Sequence, residues 1–154
     1  MITIGLRRED KNRWEARVPL TPDHLAELVE KHGLDNVVQT SDLRAFIDKE
    51  YITAGATDDE SLESCGIVRG VKESQIPLLD GDRGFLYFSH KTPGQPFILP
   101  FRALVLELRA TLMDYELVLD RRGRRLILFG RYAGHAGMID TLWALGRRLE
   151  HEGI

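Results

Sequence analysis

Short apolar runs alternate with helical segments along this chain, and this alternation restricts the fold more than any other feature. Runs rich in β-branched or aromatic residues predict strands, at Ile2–Leu6, Val37–Gln39, Gly66–Val71 and Gly84–Ser89. The last two are short and apolar, as strands buried in a parallel sheet are. The alternation therefore predicts an α/β fold with an open, mostly parallel sheet flanked by helices, a layering of the Rossmann or flavodoxin type.

The helices are predicted from their end signals and their apolar spacing. Thr21 is a suitable N-cap, Pro22 suits the first helical position, and Gly33 ends that segment. Further helical stretches are predicted at residues 42–47, 51–55, 100–112 and 136–150. Between the last two, residues 113–119 and 126–129 predict an antiparallel β-hairpin that turns around Gly123.

The final predicted helix has an unusually wide apolar surface. Ile139, Leu142, Trp143 and Leu145 extend around more than one narrow stripe. Contiguous apolar surface of this kind usually marks an interface. We therefore expect the chain to form a homo-oligomer, most simply a two-fold dimer, or to pair with another protein through this helix.

Composition excludes several classes of protein. The chain has 154 residues, 43% of them hydrophobic, with 21 Lys+Arg and 24 Asp+Glu and a formal charge of −3. That content suits one folded domain, and residues 1–154 are predicted to form one. No apolar run approaches the roughly 20 residues of a membrane span, and the charge balance argues against a dedicated nucleic-acid binder.

Cys65 is the only cysteine, which excludes an internal disulfide and a Cys-rich zinc site. A single cysteine is typical of a reducing compartment, so the expected location is the cytoplasm. No set of His, Asp and Glu has metal-ligand spacing, so no metal site is predicted.

Polar residues follow the predicted strands, where open α/β sheets bind their ligands. Arg17, just ahead of a helix, suits a carboxylate, although a solvated surface arginine fits the same spacing. Lys72 follows the third strand and suits proton transfer, although such a lysine often reaches out to water. His90 follows the fourth strand and suits general acid–base chemistry, although a structural histidine is equally consistent with its position.

Two later segments have weaker signals. Arg121–Arg125 contains four arginines in five residues, which could suit an anionic ligand but more often forms a solvated turn. Phe129–Gly137 is glycine-rich, but its spacing is G-x-x-x-G-x-x-G, and no second strand with an acidic residue follows at the distance a dinucleotide site needs. We interpret its small residues as close packing of a helix against the sheet.

Taken in order, these motifs are recognisable. The segment from Arg7 to Pro22 (RREDKNRWEARVPLTP), then GVKE at Gly70–Glu73, FSH at Phe88–His90, DYE at Asp114–Glu116 and FGRYAGHAGMID from Phe129 occur along the chain. The chain resembles the N-terminal domain of the alanine dehydrogenase/pyridine nucleotide transhydrogenase superfamily, closest to lysine-ketoglutarate reductase and saccharopine dehydrogenase.

The resemblance implies a function and a set of roles. In that family the domain faces an NAD(P)-binding Rossmann domain across a cleft, and lysine and 2-oxoglutarate condense to an imine that hydride reduces to saccharopine. Lys72 and His90 match the catalytic acid–base residues, and Arg17 matches a carboxylate-binding arginine. The resemblance also implies residues that line the cleft. On the substrate side these are Glu73, Gln95, Glu116, Arg125 and Phe129, and on the cofactor side Arg124. The charges of Glu73 and Glu116 are implied to tune the proton affinity of Lys72.

The family's NAD(P)-binding domain has no counterpart within these 154 residues. We therefore expect this chain to bind no cofactor alone and to catalyse no redox turnover alone. Three interpretations stay open: a split enzyme completed by a separate NAD(P)-binding partner, a stand-alone domain that binds a ligand without turnover, and a shortened gene product. A scaffold or regulatory protein that uses the same surfaces for association is the alternative from a different class.

Overall fold

Six parallel strands form a single sheet in the computed structural model, which describes residues 2–73, 81–89 and 98–153, with the side chains of 98–102 left aside. The strands, in chain order, are β1 (Thr3–Leu6), β2 (Asp35–Val38), β3 (Thr57–Asp58), β4 (Ile67–Arg69), β5 (Gly84–Tyr87) and β6 (Thr111–Asp114). Their spatial order is β3-β2-β1-β4-β5-β6, and every neighbouring pair is parallel. The predicted α/β class with a parallel sheet is confirmed.

The direction in which the chain adds strands to the sheet reverses between β1 and β4. The chain builds outward from β1 through β2 to β3, and then returns to place β4 on the other side of β1. In open α/β sheets the crevice beyond the carboxyl ends of two such strands is the usual ligand site. Here it lies between the segments that follow Leu6 and Arg69.

The first helix, α1 (Pro22–His32), forms as its end signals predict. The Thr21 hydroxyl accepts a hydrogen bond from the backbone N–H of His24 at 3.3 Å. Gly33 ends the helix at φ +60°, a left-handed conformation that glycine adopts without a side-chain penalty. Leu25 on this helix is fully buried.

One apolar cluster holds α1 and α2 (Asp48–Thr53) against the first two strands. Its buried members are Leu6, Leu25, Val38, Tyr51 and Ala56. The Tyr51 hydroxyl is not left unpaired, because it donates a hydrogen bond to the carbonyl of Leu20 at 2.7 Å. Each fully buried large side chain of this kind contributes about 1.5–3 kcal/mol to folding.

Several predicted elements differ from the observed ones. Residues 42–46 are bends rather than a helix, and the short strand β3 had no apolar run to predict it. Helix α3 (Ile98–Glu107) is shorter than the predicted 100–112, because Arg109 takes φ +53° and Leu112 belongs to β6.

The predicted hairpin is wrong in its first strand. Residues 111–114 form β6, parallel to β5, and Tyr115–Leu117 is a turn of 3₁₀ helix. The Asp114 carboxylate accepts the backbone N–H of Glu116 at 2.8 Å, which turns the chain out of the extended conformation. The antiparallel pairing is reduced to one bridge, Leu119 with Arg125, around Gly123 at φ +76°.

Residues 1–117 form one compact unit and residues 118–154 form a second one. That residues 1–154 make a single domain stays a prediction. Within the second unit, helix α4 (Gly130–Glu152) begins six residues before the predicted start at Ala136. It buries no residue in this structure, and Ile139, Leu142 and Trp143 are 66%, 60% and 68% exposed. No helix among the described residues is both long and apolar enough to cross a membrane.

Candidate active site at the β1–β4 crevice

The segments that follow β1 and β4 are joined by a buried carboxylate. Glu9 Oε1 accepts the backbone N–H of Val71 at 2.6 Å, and Oε2 accepts that of Lys72 at 3.0 Å. Glu9 is only 7% exposed. The backbone of this segment is also held from the other side, because the Val71 carbonyl accepts the N–H of Phe88 at 3.1 Å. Lys72 is therefore carried on a backbone that is fixed by both neighbouring segments.

A buried arginine lies beside this carboxylate. The Arg7 side chain is 1% exposed, donates to Asp10 Oδ1 at 2.6 Å, and places Nη1 3.9 Å from Glu9 Oε2. Burial raises the pKa of Glu9, and the charge of Arg7 and the two backbone N–H groups oppose that rise. Arg7 and the two amides thus favour the ionised form that accepts both hydrogen bonds.

Gly70 makes this arrangement sterically possible. A Cβ atom at position 70 would lie 2.9 Å from Glu9 Oε1 and 3.0 Å from both Cγ and Cδ of Arg7. These separations are well below ordinary van der Waals contact, so a side chain here would displace the buried pair. The glycine of the GVKE motif is explained by this close approach.

Arg17 and Glu15 form a forked ion pair in the same loop. Arg17 Nε and Nη2 donate to the two carboxylate oxygens of Glu15 at 2.7 and 2.5 Å. Arg17 lowers the pKa of Glu15, and the positive charge of Lys72 lowers it further. The pair therefore lies within electrostatic range of Lys72. The Arg17 side chain is 44% exposed.

Glu73 links the Lys72 segment to the loop that follows β1. Lys72 precedes Glu73 directly, and the Glu73 carboxylate pairs with the ammonium group of Lys11 from the β1 loop. This contact is a second link between the two segments of the crevice. The sequence-predicted residues Arg17, Lys72 and Glu73 are thus brought to one part of the sheet edge.

Asp114 organises the neighbouring strand ends. This carboxylate belongs to the last residue of β6, is 4% exposed, and accepts hydrogen bonds from the backbone N–H and the hydroxyl of Ser89. It also accepts the N–H of Glu116, the predicted substrate-side residue. Nearby, the rings of Phe88 and Tyr115 pack with centroids 5.0 Å apart. His90 and Gln95 lie outside the described residues, so their predicted roles stay predictions.

Arg124, Arg125 and Phe129 belong to the second unit. Arg124 Nε donates to Asp120 Oδ2 at 2.8 Å, and the same carboxylate accepts two backbone N–H groups of the turn. These bonds lower the pKa of Asp120. Arg125 pairs through its backbone with Leu119. Their assignment to the cleft stays a prediction.

The glycine-rich segment of the second unit does not fit a dinucleotide. Gly130 is the first residue of α4, and Gly134 and Gly137 lie inside the helix rather than in a loop ahead of it. Within this unit, a Cβ at Gly134 or Gly137 would meet no atom within 4 Å, and the packing of these glycines against the sheet stays a prediction. The described residues contain no group of three His, Cys, Asp or Glu side chains that could hold a metal ion.

Sequence reasoning missed the residues that organise the site. Glu9, Arg7 and Glu15 were part of a charged loop with no periodicity, and Asp114 was noted only within a motif. The available signal was positional, because Arg7 and Glu9 immediately follow a predicted strand whose neighbours also end in polar groups. Burial of a charged loop cannot be read from a pattern of charges alone.

Comparison with known sequences identifies relatives over nearly the whole chain. The sequence model of the family "Alanine dehydrogenase/PNT, N-terminal domain" matches residues 5–136. Alpha-aminoadipic semialdehyde synthase of Arabidopsis thaliana is 37% identical over 150 residues, 94% of this chain and 14% of that protein. The mitochondrial enzyme of the same name from Rattus norvegicus is 38% identical over 146 residues, 95% of this chain and 16% of that protein.

A smaller relative and a solved structure agree with these matches. Saccharopine dehydrogenase [NAD(+), L-lysine-forming] of Neurospora crassa is 33% identical over 158 residues, 96% of this chain and 41% of that protein. An L-alanine dehydrogenase structure superposes with a TM-score of 0.66 at 24% identity, over 79% of this chain and 34% of that one. The chain thus spans about a seventh of the first two relatives and less than half of the third.

Proposed function

Because this chain belongs to the alanine dehydrogenase/PNT N-terminal domain family, we propose that it is the substrate-side domain of a dehydrogenase that forms or oxidises saccharopine. Its relatives and its fold support a substrate-binding dehydrogenase domain. The proposal goes further, to the substrate pair lysine and 2-oxoglutarate and to the role of each residue. The Neurospora relative is a saccharopine dehydrogenase that forms L-lysine, which supports this choice of substrates.

The position of Lys72 carries the proposal. This lysine follows β4 at the reversal point of the strand order, and Glu9 fixes its backbone N–H. In the proposed reaction Lys72 accepts or returns the proton of the secondary amine that links the two halves of saccharopine. A lysine suits this step because its amine is a proton carrier on a flexible stem that can follow the substrate nitrogen.

The other residues bind and orient. Arg17 is proposed to hold a substrate carboxylate. It would then donate to the ligand one of the two N–H groups that it now donates to Glu15. Glu73 and Glu116 are proposed to shape the charge around Lys72, and His90 to move the protons of water and carbinolamine. Gln95, Arg125 and Phe129 are assigned to the substrate side and Arg124 to the cofactor side on the family resemblance.

The nicotinamide nucleotide is assigned to a separate NAD(P)-binding domain or subunit. The described residues of this chain do not fit such a group, since their glycine-rich segment is helical from Gly130 onward. The proposed partner supplies and accepts the hydride, and this chain supplies the substrate contacts and the proton transfers. A cytoplasmic location and a homo-oligomeric state are part of the same proposal.

Calorimetric titration with saccharopine tests the substrate assignment. We expect the chain to bind saccharopine without oxidising it when NAD⁺ or NADP⁺ is added, and to gain turnover when an NAD(P)-binding domain of the same family is supplied. Lys72→Met is expected to lower that turnover by about 10²–10⁴-fold. Lys49→Met, on the exposed side of α2, is the matched control and is expected to change neither quantity.

Robust turnover by the chain alone would contradict the partner requirement. Binding of saccharopine with no turnover in the presence of any family NAD(P)-binding domain would favour the alternative, a stand-alone ligand-binding or regulatory domain. Absence of saccharopine binding, with wild-type folding, would overturn the substrate assignment.

A further inference from the structure

We infer that Glu9 is a positioning residue for Lys72, holding the lysine at the β1–β4 crevice by its two backbone hydrogen bonds. This inference rests on the proposed role of Lys72. Glu9 lies 62 and 63 residues away in sequence from the two amides that it binds. It does not act on the substrate itself but on the backbone from which the Lys72 side chain extends.

The geometry is that of a two-point clamp. One oxygen accepts the Val71 N–H at 2.6 Å and the other accepts the Lys72 N–H at 3.0 Å, so the carboxylate fixes both position and direction of this backbone. Hydrogen bonds to a charged acceptor are roughly twice as strong as neutral ones.

The clamp is buried and closely packed. Glu9 is 7% exposed, and the buried guanidinium of Arg7 is its near cation, 3.9 Å away. Gly70 provides the space that both side chains occupy. A purely structural ion pair could form without accepting the backbone N–H of Lys72, the lysine to which the proposed reaction assigns the proton transfer.

Two variants disturb the clamp in different ways. Glu9→Gln keeps the size but turns an NH₂ group toward one of the two amides. Gly70→Ala keeps the carboxylate and its charge but places a methyl group 2.9 Å from Oε1. Asp48→Asn is the matched control. Asp48 also accepts a backbone N–H, from Ser41 at 3.1 and 3.2 Å, and also faces a buried arginine, Arg44, but it lies in α2, which packs against α1 and β3.

Amide hydrogen exchange gives the first measurement on the whole chain. We expect the N–H groups of Val71 and Lys72 to exchange at least tenfold faster in Glu9→Gln and in Gly70→Ala, relative to the other amides of β4 and β5. In Asp48→Asn they are expected to follow those amides. A uniform increase in all amides in both Glu9→Gln and Gly70→Ala would show only a loss of global stability and would overturn the inference.

A double-mutant cycle between Glu9 and Lys72, read by saccharopine affinity, gives the second measurement. We expect Glu9→Gln to weaken binding about tenfold in the wild-type background and less than twofold in the Lys72→Met background, because the clamp acts through Lys72. Asp48→Asn is expected to stay within twofold of wild type. An unreduced Glu9→Gln effect in the Lys72→Met background, or no effect in the wild-type background, would overturn the inference.

The same data separate this inference from the proposed function. If Lys72→Met loses neither affinity for saccharopine nor turnover with the NAD(P)-binding domain, the assignment of Lys72 fails, and with it the functional meaning of the clamp, whatever the exchange rates show. If Lys72→Met loses affinity and Glu9→Gln does not, only the inference about Glu9 fails. Should Glu9→Gln not fold, Gly70→Ala serves in its place in both measurements.

Discussion

The carboxylate of Asp114 accepts hydrogen bonds from both the backbone N–H and the hydroxyl of Ser89, 25 residues earlier in the chain. Asp114 ends β6 and Ser89 follows β5, so the contact joins the carboxyl ends of adjacent strands. It is the counterpart, at the pair β5–β6, of the contact from Glu9 to Val71 and Lys72 at the pair β1–β4. In both places a buried carboxylate accepts backbone N–H groups that lie just beyond the last hydrogen bonds between the strands.

We expect Asp114→Asn to destabilise the fold by about 1–3 kcal/mol, because the hydrogen bonds that the charged carboxylate accepts from Ser89 and Glu116 become weaker bonds to a neutral amide. Urea unfolding monitored by circular dichroism measures the loss. Asp59→Asn is the control, since Asp59 binds the N–H and hydroxyl of Ser61 in a local surface turn. It is expected to stay within about 0.5 kcal/mol of wild type, and equal losses in the two variants would contradict the prediction.

The sequence predicted the sheet because its signals are local. The apolar runs at β1, β2, β4 and β5, the Thr21 cap and the Gly33 stop each depend on residues within one element. Strand β3 has two exposed residues and no apolar run, so only its pairing with β2 defines it. The boundary of β6 depends on a side chain of its last residue, Asp114, which no periodicity reveals.

The site was predicted only in part for a related physical reason. Lys72 and Arg17 stand out because a charged residue follows an apolar strand or precedes a helix cap. Glu9 has no such signal, and its role comes from a contact 63 residues away that depends on the strand order. A sheet in which β4 did not lie beside β1 would leave the same glutamate in solvent.

Gly5→Ala is expected to destabilise the fold by about 1–3 kcal/mol through overpacking. A Cβ on Gly5 in β1 would lie 2.9 Å from the buried Cys65 Sγ and 3.3 Å from Leu62 Cδ2. Gly66→Ala is the control, because a Cβ there meets nothing within 4 Å, and it is expected to be neutral or slightly stabilising.

Removing the sulfur tests the cause of that loss. In the double variant Gly5→Ala with Cys65→Ala, the clash with Sγ is absent, so the combined loss is expected to be smaller than the sum of the two single losses by at least about 0.5 kcal/mol. Thermal or urea unfolding of the four proteins measures this. Strict additivity would show that Cys65 is not the group that Gly5 accommodates.

The Glu15–Arg17 pair is expected to make stability depend on acid pH. Arg17 holds the pKa of Glu15 below its usual value of about 4.3. The carboxylate of Glu15 therefore binds a proton less readily in the folded chain than in the unfolded chain. The pair stabilises the fold fully above pH about 4.3, and this stabilisation is lost as the pH falls through the lower pKa of the folded state. The stability difference between wild type and Glu15→Gln should accordingly be full at pH 7 and fade at the acid end.

Glu27→Gln is the matched control for that experiment. Glu27 also has a lowered pKa, set by Lys31, but that pair is fully exposed on α1. At 1 M NaCl, where the screening length is about 3 Å, its small contribution should vanish while that of Glu15, 7% exposed, should largely persist. An equal response of both pairs to salt would show that Glu15 behaves as an ordinary surface group.

Helix α4 is expected to mediate association. Within its unit, Ile139, Leu142 and Trp143 are all at least 60% exposed, and covering such side chains is worth about 1.5–3 kcal/mol each. Trp143→Glu should therefore weaken self-association or pairing with an NAD(P)-binding partner. Ala144→Glu is the control, because the exposed position 144 lies at least about 100° around the helix from each of the apolar positions 139, 142, 143 and 145. Sedimentation velocity over a hundredfold range of micromolar concentrations measures the effect. A single wild-type species near 17.5 kDa at every concentration would exclude self-association and leave only pairing with an NAD(P)-binding partner.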